Sequence, residues 1–192
     1  MTDLVSSAPS TVASEAALAQ RVVIDTSVLI ADPHCVTGFG PVALVVPLTV
    51  VEELDSLKTR TDDVGRAART ALRSIEELRV ANGGSLAEPV AIDGGGTVQI
   101  EINGIQKHLL VEHGLDPALP DNRIIGAALG QTQHGPTVMM SNDAALRIKA
   151  AHLGVGAAEH QPARRRWPER RIGWSVIDTP REVIDCLYAA GA

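Results

Sequence analysis

A chain of 192 residues has room for one domain with a sizeable core. Hydrophobic residues make up 45%, which excludes wholesale disorder, while aromatics are only 2%, so the core must come from Val, Ile, Leu and Ala. A net charge of −6 speaks against a nucleic-acid partner, unless several of the acids are gathered around divalent cations.

Residues 1–20 are Ser/Ala-rich, without a basic start or a continuous apolar segment, and read as a flexible leader rather than a signal peptide. No apolar run is long enough to predict a membrane span. Cys35 and Cys186 are too few for a disulfide framework, which fits a reducing cytoplasm.

Arg21 to Ile24 is β-branched and apolar and stops at Asp25, as a buried parallel strand ending in a carboxylate does. His34 to Pro41 reads as a loop, and Val42 to Val46 as a second buried strand closed by Pro47. Leu48 to Lys58 is a predicted helix with Thr49 as N-cap and Glu52 completing a capping box. That explains Glu52 and leaves Glu53, about 100° further round the helix, in need of another role.

Gly65 to Ala81 is predicted helical, with Arg66, Arg69 and Arg73 in one stripe. The stripe is either a solvated face or an RNA phosphate contact. Val98 to Ile102 alternates like an edge strand, Gln106 to Gly114 suggests a short helix, and Leu119 to Leu129 another, with Asp121 at or near its N-cap. Thr137 to Met140 is a strand followed by Ser141-Asn142-Asp143 and a helix to about Leu153, and Val155 to Ala158 is a further short strand. Residues 161–192 form a basic linker with a strand–helix segment. Arg164, Arg165 and Arg166 make that linker either a phosphate-binding arm or a plain charged spacer.

Strands alternating with helices predict an α/β fold: a three-layer α/β/α sandwich on a mostly parallel sheet, spanning residues 21–160. Asp25 and Asp143 then share the C-terminal edge, within reach of Glu53 and Asp121. Four such acids would repel, at about 4 kcal/mol per pair 4 Å apart at an effective dielectric near 20, unless a cation lies among them. All-oxygen ligation favours Mg²⁺ or Mn²⁺.

The ordered segments V-I-D-T-S-V-L, V-P-L-T-V-V-E-E-L-D, L-P-D-N-R-I-I-G-A-A-L and S-N-D-A-A-L-R-I-K-A resemble the PIN domain family, and more narrowly the N-terminal PIN domain of bacterial PhoH-like proteins. The resemblance implies a metal-dependent endoribonuclease that cuts single-stranded RNA with metal-activated water and leaves a 5′-phosphate. It implies Asp25, Glu53, Asp121 and Asp143 as the catalytic acids and metal ligands. Ser27 stands where the family often has Asn, and Ser141 is expected to orient the acids.

The rival readings are a non-catalytic PIN-fold module that binds RNA or protein, and a phosphotransfer enzyme. Ser27 counts against the second, since haloacid-type phosphatases need an acid two residues after the first. No G-x-x-x-x-G-K-[ST] segment is present, so an ATPase domain is expected only in a longer parent protein. Homo-oligomerisation and an antitoxin-like inhibitor are left open by the sequence.

Overall fold

The computed structural model describes residues 20–161. The leader at 1–19 and the segment at 162–192, with Arg164, Arg165, Arg166 and the C-terminal strand and helix expected there, lie outside the described residues.

Six strands make one sheet: β1 (Arg21–Ile24), β2 (Ala43–Pro47), β3 (Val90–Ala91), β4 (Thr97–Glu101), β5 (Thr137–Met140) and β6 (Gly156–Ala158). Their order is β3-β4-β2-β1-β5-β6, parallel throughout except for the antiparallel β3–β4 pair. β4 pairs on both sides and is not the edge strand its alternation suggested; the two-residue β3 covers it. Every residue of β2 is buried, as is all of β1 after Arg21. That accounts for unbroken β-branched runs instead of alternation.

The helices are α1 (Thr26–Ala31), α2 (Leu48–Leu57), α3 (Asp63–Ala81), α4 (Lys107–Glu112), α5 (Pro120–Gln131) and α6 (Ala144–His152). Helices α1 to α3 pack together, as do α4 to α6, and the sheet lies between these outer layers. Gly130 in α5 shows how tightly the layers meet: a Cβ there would stand 2.0 Å from the Gly104 carbonyl oxygen. The core joins Val23, Ile24, Val45, Leu54, Ile125, Met139 and Leu146.

The capping box expected at α2 does not form. The N-cap is Pro47, two residues before Thr49, so Thr49 lies inside the first turn and its buried hydroxyl has no hydrogen-bond partner among the described residues. Pro47 already fixes the entry, and Glu52 turns outward to Arg123, 3.3 Å away. Helix α3 begins before Gly65 because Asp62 accepts from the Gly65 amide at 3.1 Å. The Arg60 guanidinium forks onto the Asp62 carboxylate and, with the amide, lowers its pKa to about 2.

The chain leaves β1 towards β2 and β4, then returns to the far side of β1 as β5. Such a reversal opens a crevice at the C-terminal ends of the central strands, the usual ligand position in open α/β sheets. Residue 25 follows β1 and residues 141–143 follow β5.

Candidate active site

Asp25 is 6% exposed and serves as N-cap of α1. Its Oδ2 accepts from Ser27 Oγ at 2.5 Å, Ser141 Oγ at 2.8 Å and the Ser27 amide at 3.3 Å. Among the described residues nothing donates to Oδ1. One carboxylate oxygen therefore holds the group in place, and the other is left for chemistry.

Ser141 and Ser27 tie β1 to β5 across the crevice. Ser27 Oγ accepts from the Asn142 amide at 2.9 Å, and Ser141 Oγ accepts from the Asp143 amide at 3.0 Å. Each hydroxyl thus accepts from the β5 loop while donating to Asp25, a polar network with its members satisfied. Ser27, which stands where the family often has Asn, is one of the two hydroxyls that orient the carboxylate.

Asp143 is the N-cap of α6. Its Oδ1 accepts from the amides of Ala145 at 2.7 Å and Leu146 at 3.4 Å, and the residue is otherwise exposed. Asp121 lies in the first turn of α5, after Pro120; Leu119 is the N-cap. Its only cationic partner among the described residues is Lys149, at 3.9 Å.

Glu53 is half-buried in the second turn of α2, where Thr26 Oγ1 donates to its Oε2. Its pKa is raised, first by burial. The Thr26 hydrogen bond opposes that shift, the negative charges of Asp25 and Asp121 reinforce it, and Arg123 offsets it in part. Glu53 therefore senses Asp25 and Asp121 directly, and these three acids converge electrostatically. Asp143 is absent from that field: only its backbone amide reaches the Asp25 network, through Ser141 Oγ, and its carboxylate caps α6. Among the described residues, no three acidic, histidine or cysteine side chains stand close enough as positioned to enclose an ion.

The donor set suits a hard divalent cation in its chemistry. It offers carboxylate oxygens with unpaired partners, and Glu53 carries a burden of like charge that a cation would relieve. The side chains do not form a closed cage.

The proposed RNA-binding arginines have uneven local duties. Arg66 pairs with Asp63 at 2.9 Å, and Arg69 donates to the Lys58 and Arg60 carbonyls at 2.6 and 2.9 Å. Arg73 is exposed, with no ion pair or hydrogen bond among the described residues. Burial, aided by the nearby Asp32 charge, pushes the Cys35 thiol up to about 12, so it is no nucleophile at neutral pH.

Sequence reasoning passed over Thr26, Asn142, Arg123 and Lys149. Thr26 carried one signal, its place directly after the strand-end acid; the others are identified by long-range contacts alone.

A model of the PIN domain matches residues 22–161. The chain belongs to the PIN domain family. It is 39% identical over 140 residues to protein PhoH2 of Thermobispora bispora, covering 72% of this chain and 31% of that protein. It is 37% identical over 144 residues to PhoH2 of Bacillus subtilis, with 71% and 32% covered. PhoH2 of Mycolicibacterium smegmatis is 35% identical over 171 residues, with 88% and 38% covered. The chain thus spans about a third of the length of these relatives. A domain of a functionally unknown protein from Methanocaldococcus jannaschii superposes with a TM-score of 0.47 at 18% identity, covering 82% of this chain and 99% of that one. No helix among the described residues is long and apolar enough to cross a membrane.

Proposed function

We propose that this PIN domain is an endoribonuclease that cuts single-stranded RNA with Mg²⁺ or Mn²⁺, using Asp25, Glu53, Asp121 and Asp143. The observation that carries the reading is Glu53, whose pKa is raised by burial and by the neighbouring charges of Asp25 and Asp121. Acids kept under mutual repulsion at a strand-end crevice are what a cation-dependent site requires. When bound, the divalent ion would supply charge neutralisation and Lewis acidity for attack on a phosphodiester.

The chain's own residues do the rest. Ser27 and Ser141 aim Asp25, and Thr26 holds Glu53. The α6 amides fix Asp143 while leaving its Oδ2 without a hydrogen bond among the described residues. Lys149 beside Asp121 and Arg123, which pairs with Glu52 and lowers the Glu53 pKa, offer positive charge to the phosphates of a bound strand, and Arg73 is free to add another contact. As in the relatives' greater length, a longer parent protein would carry further domains, an ATPase among them.

The test is cleavage of a labelled single-stranded RNA by the wild-type chain and by Asp25→Asn, with and without Mn²⁺. Cation-dependent cutting that Asp25→Asn abolishes supports the reading, and an Asn variant as fast as wild type overturns the role of Asp25. One observation favours the alternative of a binding-only module: no three acids enclose an ion-sized space among the described residues. RNA binding with no Mn²⁺-dependent stabilisation and no cleavage would establish it.

A further inference from the structure

A cavity of about 210 Å³ lies beside α6, lined by His113, Leu115, Ile148, Lys149, His152 and Leu153. Its walls join the segment after α4 to the C-terminal half of α6. Leu115 and Leu153 pack against the core and make a firm floor, whereas Ile148 is 70% exposed at the mouth. An isoleucine so exposed, beside two imidazoles lining a hollow, is an apolar surface with no covering partner among the described residues. Lys149 lines the hollow and also stands 3.9 Å from Asp121, so this cavity and the acid set share a side chain.

We propose that the cavity is a subsite for one unstacked nucleobase of the single strand that the acid set acts on, an inference that rests on the nuclease reading for the rest of the strand. Size and chemistry select this occupant. The space is below the range of drug-sized pockets and suits a single planar ring system. Leu115, Ile148 and Leu153 offer flat apolar contact, and His113 and His152 offer ring faces and N–H donors to base edges. Lys149 and His152, in the last turn of α6, place the basic character of the helix where an attached phosphate would lie. From Asp143 to His152 the helix rises by about 13 Å, so the base held here lies nucleotides away from the bond cut rather than beside it. In a chain with so few aromatics, an aliphatic and imidazole pocket replaces the usual stacking ring.

The test uses the full chain in EDTA, with methyl and imidazole NMR signals followed during titration with adenosine 5′-monophosphate, uridine 5′-monophosphate and ribose 5-phosphate. Saturable shifts confined to Ile148, Leu153, His113 and His152 are expected with at least one nucleotide, and about tenfold weaker binding with ribose 5-phosphate, which lacks the base. Ile148→Glu, at an exposed position that leaves the core intact, is expected to remove the nucleotide shifts, and Leu153→Trp to do the same by filling the space. Equal shifts with ribose 5-phosphate, shifts located elsewhere, or no saturation overturn the proposal. So does a dimer in sedimentation that Ile148→Glu dissolves, since a second copy would then be the occupant. Cleavage is scored separately: base binding without metal-dependent cutting refutes the nuclease reading alone, and cutting without base binding refutes the subsite alone.

Discussion

Two carboxylates, Glu101 at the end of β4 and Glu53 in the second turn of α2, have opposite surroundings. Glu101 closes β4 and is fully engaged. Its Oε1 accepts from the amides of Asn103 at 2.8 Å and Gly104 at 2.7 Å, and its Oε2 accepts from Gln131 at 2.9 Å. Gln131 in turn accepts from Arg21 at 2.8 Å, so a cation ends the chain of bonds. Glu53 has one hydroxyl donor and two acids for neighbours, and its pKa is raised. The first arrangement locks β4, α5 and β1 together. The second leaves a carboxylate whose pKa is raised by burial and by neighbouring acids, only partly offset by Thr26 and Arg123.

The largest contrast is expected in activity. Asp25→Asn should lower Mn²⁺-dependent RNA cleavage by on the order of 10³-fold or more, while Glu101→Gln should leave it within a few-fold of wild type. Because Asn can present its carbonyl oxygen to Ser27 and Ser141, the Asp25 variant should melt at or slightly above the wild-type temperature. A large drop in melting temperature would show that the carboxylate is structural after all.

In stability the order reverses. Glu101→Ala strands three donors and should cost about 2–3 kcal/mol in chemical denaturation. A loss below half a kcal/mol would erase the distinction between the two sites.

Arg69→Ala removes the tie to the Lys58 and Arg60 carbonyls and should cost about 1 kcal/mol, with Arg73→Ala nearly neutral. If only the second weakens RNA binding, the stripe divides into one structural and one binding arginine. Equal losses of RNA affinity would make the whole stripe a contact surface.

The smallest effect concerns pH. Glu53 has a folded pKa above its unfolded value near 4.5, so its contribution favours folding fully below that value and is lost as pH rises through the folded one. The metal-free protein should therefore lose part of its stability across that window, and Glu53→Gln should flatten the loss and melt slightly higher at neutral pH. A Gln variant with an unchanged pH profile would mean that neither burial nor the neighbouring acids raise the Glu53 pKa.

Much of this architecture was legible in the chain. Buried parallel strands announce themselves as unbroken apolar runs, which is why β1 and β2 were readable; β5, with only Met139 buried, was read from its short Thr-Val-Met-Met run ahead of Ser141-Asn142-Asp143. Helix α1 was missed because Val28 to Ile30 continue the apolar run of β1, so the turn at Asp25 is not marked by any change in hydropathy pattern. The capping box at Thr49 failed because Pro47 had already set the helix start, a conflict between two local signals that only backbone geometry decides. Of the candidate site, the four acids were proposed from the sequence, and the structure makes Asp25 and Asp143 the N-caps of α1 and α6. A cap reading and a ligand reading compete for one residue on paper; in the fold the capping bonds of Asp25 and of Asp143 engage one oxygen of each carboxylate and leave the other without a hydrogen bond among the described residues. Arg123 and Lys149 had no local signal, since their partners lie on other helices.

The central claim is that the uncompensated acids await a divalent cation. Its most direct test is thermal denaturation during Mn²⁺ titration of wild type, Asp25→Asn, Glu53→Gln and Glu101→Gln. A saturable rise in melting temperature for wild type and Glu101→Gln, reduced or absent in the other two, is the predicted result. No rise in wild type, or an equal rise in all four, would contradict it.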